Sequence, residues 1–484
     1  MFLYRRILWW YLATPVLLFL LSWYDSALGI PLFLCLLFAV DYASQYSDIK
    51  DDHRSQYRFS LFLKILTITL AVLVAWGSLA TNYWDWNKHR PLFYDLARCH
   101  WPISYDMDGT SYLLSYYLMY YLPPTMMTKA FGLKWLPEIA QVWTLMGYGL
   151  VLWGYFGRSR TMIEWLFLFL LLMTFSGWDI LGAHWKYGKW PPYAVDFMNW
   201  NSTETSGSIY LFYYIPQHVI PAWLGGILLF RPELKAQDRV RFGSLLLALV
   251  AYWSPMVAIG LSAFILADLL SMDTVKTLIE NKRMHFLSLC LVMPYYLYLS
   301  RSLSGIENSW TPISMGIWFK PYYLYFLFFS LTVIFAITLL LAGRQLNGRY
   351  LLVSLFILLL APLYHFGAYN DLTMRGPMAE YYFLLASAGD GALNLLRRLR
   401  HAEIPLKPAM ARLIVAVLCL MVSSVGPVYM TIPVIGAILH LDFFAPMSEG
   451  VQKIWGEDRL RNQLIVPITP VKTVLLRDTE MCEP

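Results

Sequence analysis

Residues 59–90 read FSLFLKILTITLAVLVAWGSLATNYWDWNKHR and change character once, near Ala80. Phe59 to Ala80 is apolar over the length that crosses a bilayer, so it predicts a membrane helix. The segment Thr81 to Arg90 begins where that helix leaves the hydrocarbon. There Trp84 and Trp86 bracket Asp85, and Lys88, His89 and Arg90 follow at once. Indole rings favour the interface depth, where an apolar body and a polar N–H are both satisfied. A carboxylate held there is partly desolvated, which makes it a better proton acceptor, while the three basic side chains offer charge to an anion. A proton acceptor beside an anion clamp is what group transfer from a phosphate-linked donor needs. The same residues also fit a plain interfacial anchor, so the rest of the chain has to decide.

Composition sets the class. Of 484 residues, 58% are hydrophobic and 14% charged, against about 25% charged in soluble domains. Mean hydropathy is +0.50. The chain therefore reads as an all-α polytopic membrane protein. Its net charge of +6 reports loop Lys and Arg and not a nucleic-acid surface. The five cysteines, Cys35, Cys99, Cys290, Cys419 and Cys482, show no C-x-x-C spacing, and three fall in predicted spans. Neither a disulfide framework nor a metal knuckle is expected from them. Residues 1–23 have the charge and length of a signal peptide, but no small-residue cleavage site follows closely, so they read as an uncleaved first span.

Apolar stretches of spanning length fall near 7–23, 27–42, 59–81, 138–156, 161–181, 207–230, 284–300, 317–342, 349–366, 378–396 and 412–436. Residues 111–127 are too tyrosine-rich for a lipid-facing helix and stop at Pro123-Pro124, so they predict a re-entrant or interfacial helix. Residues 243–271 are broken by Trp253-Ser254-Pro255 and predict a hairpin of two short helices. This gives about 11–13 membrane helices. Charge asymmetry agrees with it. With the N-terminus inside, segments 43–58, 157–160, 231–242, 272–283, 343–349 and 397–412 gather most of the Lys and Arg on the cytoplasmic side. Loops 82–110, 182–206, 301–316 and 367–377 then share the outer face. Residues 1–436 form one membrane domain and 437–484 a short outward tail.

On the outer face polar groups are dense. Loop 182–206 begins beside His184, and the chain re-enters at Pro216-Gln217-His218. The stretch Tyr364-His365-Phe366-Gly367-Ala368-Tyr369-Asn370-Asp371-Leu372-Thr373-Met374-Arg375-Gly376-Pro377 precedes a span. Its Arg375, with Tyr369, Asn370 and Asp371 nearby, suits a phosphate, and Arg301 is a weaker duplicate. Asp106 and Asp108 form a D-x-D that can chelate Mg or Mn through hard oxygens, although Gly109 beside them equally fits a turn. No other cofactor is indicated. Zinc lacks a histidine pair at ligand spacing, and nucleotide binding lacks its glycine-rich loops. A donor for outer-face chemistry must therefore arrive already activated, as on a lipid phosphate.

The Trp84-Asp85-Trp86-Asn87-Lys88-His89 element after a span, followed by interfacial helices over roughly 88–98 and 111–122, resembles the GT-C superfamily of integral membrane glycosyltransferases. The Asn370-Asp371-Leu372-x-Met374-Arg375 element looks like one in bacterial membrane proteins of this layout. The resemblance implies a GT-C-like arrangement with interfacial helices in the first large outer loop. It also implies Asp85 as catalytic base, and Lys88, His89, Arg90, Arg375 and Arg301 as ligands of the donor phosphate. Trp84, Trp86, Asp106, Asp108, His184, Gln217, His218, Tyr369, Asn370 and Asp371 would line the substrate pocket. The implied partners are a polyprenyl-phosphate-linked sugar, a glycan or lipid-linked acceptor and membrane lipids, with no nucleic acid. The implied setting is a bacterial inner membrane with the site facing the periplasm.

Two other classes share part of this pattern. A polymerase or ligase of lipid-linked polysaccharide also uses outer-face arginines but needs no acidic base in the first loop. A lipid or solute transporter would show inverted repeats and midplane charges in discontinuous helices. The Pro255 break fits the transporter; the absence of a visible repeat does not.

Overall fold

A computed structural model describes residues 2–49, 60–80, 86–107, 109–190, 207–230, 234–300, 308–310, 319–367, 370–439, 447, 449–451, 464–467, 476–477 and 480–482. Helices dominate them. Six are long and apolar enough to cross a membrane: Leu3–Trp23, Ser26–Tyr46, Leu61–Ala80, Met162–Tyr187, Tyr323–Ala342 and Leu406–Ser423; a bent pair at 255–280 would make seven. The larger number expected from the sequence included further helices such as Leu136–Phe156, Lys282–Ser300 and Met378–Arg400. These carry more polar side chains or internal prolines. What the fold supports is an all-α polytopic membrane protein.

Prolines decide where spans break. The 207–230 segment, read as one span, is two helices, Ser208–Tyr214 and Pro216–Leu229. Pro216 drives Ile215 out of the helical region, to φ −137 and ψ 59. The 412–436 segment is likewise divided, into Leu406–Ser423 and Val425–Leu439, with Pro427 in the first turn of the second. The 243–271 hairpin is observed as Ala236–Trp253 and Pro255–Asp268, folded back at Ser254. Arg239 bonds Asp268 at 2.6 Å, and Gly243 lies against Ile265, so the two helices run antiparallel. The tip of that hairpin is buried: Trp253 and Ser254 are 1% and 0% exposed.

One end of the bundle carries a platform. Helix Trp86–Arg98 leads into strands Ile103–Met107 and Thr110–Leu114, and helix Leu122–Phe131 follows. The second interfacial helix expected over 111–122 is therefore corrected to a strand and a connecting turn. Tyrosine-rich sequence prefers a pleated, half-buried surface, and here it finds strand partners. Those partners come from the chain end: Ile465–Pro467 pairs with Thr110–Leu114, and Glu480–Met481 with Ile103–Met107, giving the order 465–467, 110–114, 103–107, 480–481. A lone hairpin is marginal in water, whereas four strands hold.

Two described segments beyond 436, Ile465–Pro467 and Glu480–Met481, are thus part of this platform. Cys99 and Cys482, 383 residues apart, form a disulfide, which corrects the expectation of none. The buried Asp95 accepts hydrogen bonds from Tyr105 Oη at 2.9 Å and from the Val451 N–H at 2.8 Å. At the far end of the bundle lie the ion pairs Arg158–Asp390, Arg239–Asp268 and Arg397–Glu164. Met378–Arg400, with 23 residues, joins the two ends over roughly 35 Å at 1.5 Å per residue.

Candidate functional site

Beneath the platform five chain segments meet. Helix Trp86–Arg98 turns Trp86, Lys88 and His89 inward, at 0%, 2% and 0% exposure. Lys88 Nζ lies 5.6 Å from the centre of the Tyr116 ring, a cation–π contact. His89 Nδ1 is 2.6 Å from Tyr121 Oη, and its Nε2 is 3.4 Å from Gln217 Nε2. The Trp86 ring stands edge-on to His89 at 5.3 Å.

The second contributor is the loop ahead of Met378–Arg400. Gly367 has φ +80, and a Cβ there would collide with Asp371 Oδ2, so glycine closes the loop. Asn370, in the left-handed region with φ 54, accepts the Phe366 N–H on its side-chain oxygen at 3.4 Å. This geometry aims the short helix Asp371–Arg375. Asp371 pairs with Arg375 at 3.0 Å, and Arg375 donates to Tyr117 Oη at 2.8 Å. The Tyr117 ring packs edge-on against His218 at 4.9 Å, and His218 Nδ1 is 2.7 Å from Ser254 Oγ at the hairpin tip.

Among the described residues, cations outnumber carboxylates in this cluster. Burial pushes the His89 imidazole well below its ordinary value, and the neighbouring Lys88, Arg375 and Arg90 push it the same way. His89 is therefore neutral at pH 7, surrounded by three cations. Among the described residues, Asp371 is the carboxylate bonded within the cluster. Lysine and arginine gathered at low dielectric around neutral imidazoles favour an anionic ligand.

The sequence-derived residues divide. Trp86, Lys88, His89, Gln217, His218, Asn370, Asp371 and Arg375 come together, with Arg90 at the edge. Trp84, Asp85, Asp108, Arg301 and Tyr369 lie outside the described residues. Asp106 is exposed and caps the hairpin turn by accepting the Gly109 N–H at 3.0 Å, the turn reading of the D-x-D. His184 stacks on Trp190 at 4.2 Å, with no described contact to the cluster. Among the described residues one group of possible metal ligands is close enough, Asp95 with Cys99 and Cys482, and its sulfurs are joined to each other. No thiolate is left there for a metal.

Three participants escaped the sequence reading. Tyr117 sits in the tyrosine run 116–121, flagged only as unfit for lipid. Ser254 sits at the Pro255 break, noted for its geometry and not its hydroxyl. Glu380 sits in the first turn of Met378–Arg400, is 0% exposed, and has no hydrogen-bond partner on either carboxylate oxygen among the described residues. It lies against Gly260. A carboxylate inside an apolar stretch was the available signal. The fold and cluster define a class, an all-α polytopic membrane protein with a buried cationic site at one end. The chain matches no family model, no curated protein and no solved structure.

Proposed function

We propose that this protein is a GT-C-type membrane glycosyltransferase, moving a sugar from a polyprenyl-phosphate donor to an acceptor hydroxyl on the outer face. The observation that carries this reading is the convergence of Lys88 and His89, from the segment after the third span, with Arg375, from the loop before a late one. In the proposed step the acceptor oxygen attacks the anomeric carbon while its proton passes to Asp85. The bond from that carbon to the phosphate oxygen breaks, with inversion, and Lys88 and Arg375 neutralise the departing phosphate. Two features support an outward site. The Cys99–Cys482 disulfide at this end belongs in an oxidising compartment. The arginines of the opposite end fit a cytoplasmic face. Purified protein with Asp85→Asn should keep its fold and lose sugar transfer; wild-type turnover in that variant would overturn the assignment.

Glu380 favours a second reading, proton-coupled transport of an anion, because an unpaired carboxyl in the bundle interior suits a proton carrier. Proteoliposomes separate the two: a transporter accumulates its anion without forming a glycosidic bond.

A further inference from the structure

The residues facing the cations carry information about the rest of the ligand. Gln217 and His218 are consecutive in the first turn of Pro216–Leu229, and each is 1% exposed. Gln217 Nε2 faces His89 Nε2. An amide nitrogen only donates, so His89 Nε2 accepts and its Nδ1–H goes to the Tyr121 oxygen. Gln217 Oε1 is then left as an acceptor, and it has no partner among the described residues. His218 is fixed from the other side. Ser254 Oγ caps its helix by accepting the Val257 N–H, and it also bonds His218 Nδ1 at 2.7 Å. His218 Nε2, an imidazole nitrogen that donates or accepts according to its tautomer, likewise has no partner among the described residues.

A buried amide oxygen, which only accepts, and a buried imidazole nitrogen on the next residue match a narrow set of ligand groups. An anionic oxygen accepts only, so it leaves the Gln217 oxygen unpaired. An ammonium donates only, and Lys88 and Arg375 repel it. A hydroxyl does both. We propose that Gln217 Oε1 and His218 Nε2 form a hydroxyl-reading subsite, so that the ligand is a phosphate ester of a polyol, with hydroxyls set beside the phosphate. This rests on the cationic cluster being the phosphate site and adds which atoms distinguish a sugar phosphate from a bare one.

The test uses the full-length protein in lipid nanodiscs. Its probes are the 1-phosphates of glucose, galactose and mannose, with methyl phosphate as the hydroxyl-free reference. Wild type should bind at least one sugar phosphate about tenfold more tightly than methyl phosphate, because the analogue leaves buried polar atoms unpaired. Gln217→Met and His218→Phe should each bring that ratio close to one while methyl phosphate binding stays within about twofold. If His218→Phe fails to fold, the near-isosteric Gln217→Met carries the test. Equal wild-type affinity for methyl phosphate and every sugar phosphate overturns the subsite and leaves the phosphate site standing, as does a ratio unchanged in the variants. Binding of no probe at all overturns both.

Discussion

Arg375 donates a 2.8 Å hydrogen bond to the phenol of Tyr117 across 258 positions of chain. That bond ties the loop ahead of a late helix to the turn following the platform hairpin, and Tyr117 in turn packs on His218. A guanidinium held from one side by Asp371 and from another by Tyr117 has lost most of its rotamer freedom before any ligand arrives.

Tyr117→Phe should therefore weaken phosphate binding without abolishing it. The Asp371 pair survives, so the loss is about one neutral-to-charged hydrogen bond, roughly tenfold in affinity. Arg375→Lys should cost more, because an ammonium cannot reach Asp371 and Tyr117 in the fork geometry. Isothermal titration with methyl phosphate ranks the two; a larger loss in Tyr117→Phe contradicts the arrangement.

His89 gives the fold a pH dependence of definite sign. Its folded pKa lies below the ordinary value of about 6.5 through burial and the Lys88, Arg375 and Arg90 charges. The unfolded chain thus binds the extra proton first, and stability falls as pH drops below about 6.5. Thermal unfolding between pH 7.5 and 5 should show this slope, and His89→Gln should reduce it.

The sheet needs its covalent tether. Cys482→Ser should lower the unfolding temperature, by the equivalent of roughly 2–5 kcal/mol for loss of a native disulfide, and expose the strands Ile465–Pro467 and Glu480–Met481 to protease. Peptide mapping of unreduced protein should recover Cys99 joined to Cys482, with Cys35, Cys290 and Cys419 alkylated as free thiols.

Glu380 is costly to the fold. A buried carboxyl with no side-chain partner among the described residues forfeits about 1–3 kcal/mol, so Glu380→Met should raise the unfolding temperature. Unchanged sugar transfer in that variant agrees with the transferase reading, whereas loss of anion accumulation in proteoliposomes by a more stable protein points to a proton-carrying role.

Much of the site was legible because membranes punish stray polarity. Lys88, His89, Gln217, His218 and Arg375 all stand at the ends of apolar runs, where charge and amide groups are visible against their surroundings. The hairpin fold at Ser254-Pro255 was legible because Pro255 removes a helix hydrogen bond directly after Ser254, which favours a break there. What could not be read depended on partners far away in the chain. Thr110–Leu114 becomes a strand because Ile465–Pro467 lies beside it, and Cys99 finds Cys482 through that same sheet. Tyr117 and Ser254 are unremarkable in sequence; only packing turns one into an arginine acceptor and the other into a histidine orienter. The division of 412–436 went unread although Pro427 marks it, because an interior proline is also compatible with continuity, as Pro15 and Pro31 are inside unbroken helices.

The most direct measurement is transfer of a labelled sugar from a short-chain polyprenyl-phosphate donor by the purified, reconstituted protein, comparing wild type with Arg375→Ala. The account predicts measurable wild-type turnover and a fall of about 10²–10³ in the variant, the usual cost of removing one charge-stabilising donor. Arg375→Ala turning over at the wild-type rate would contradict it.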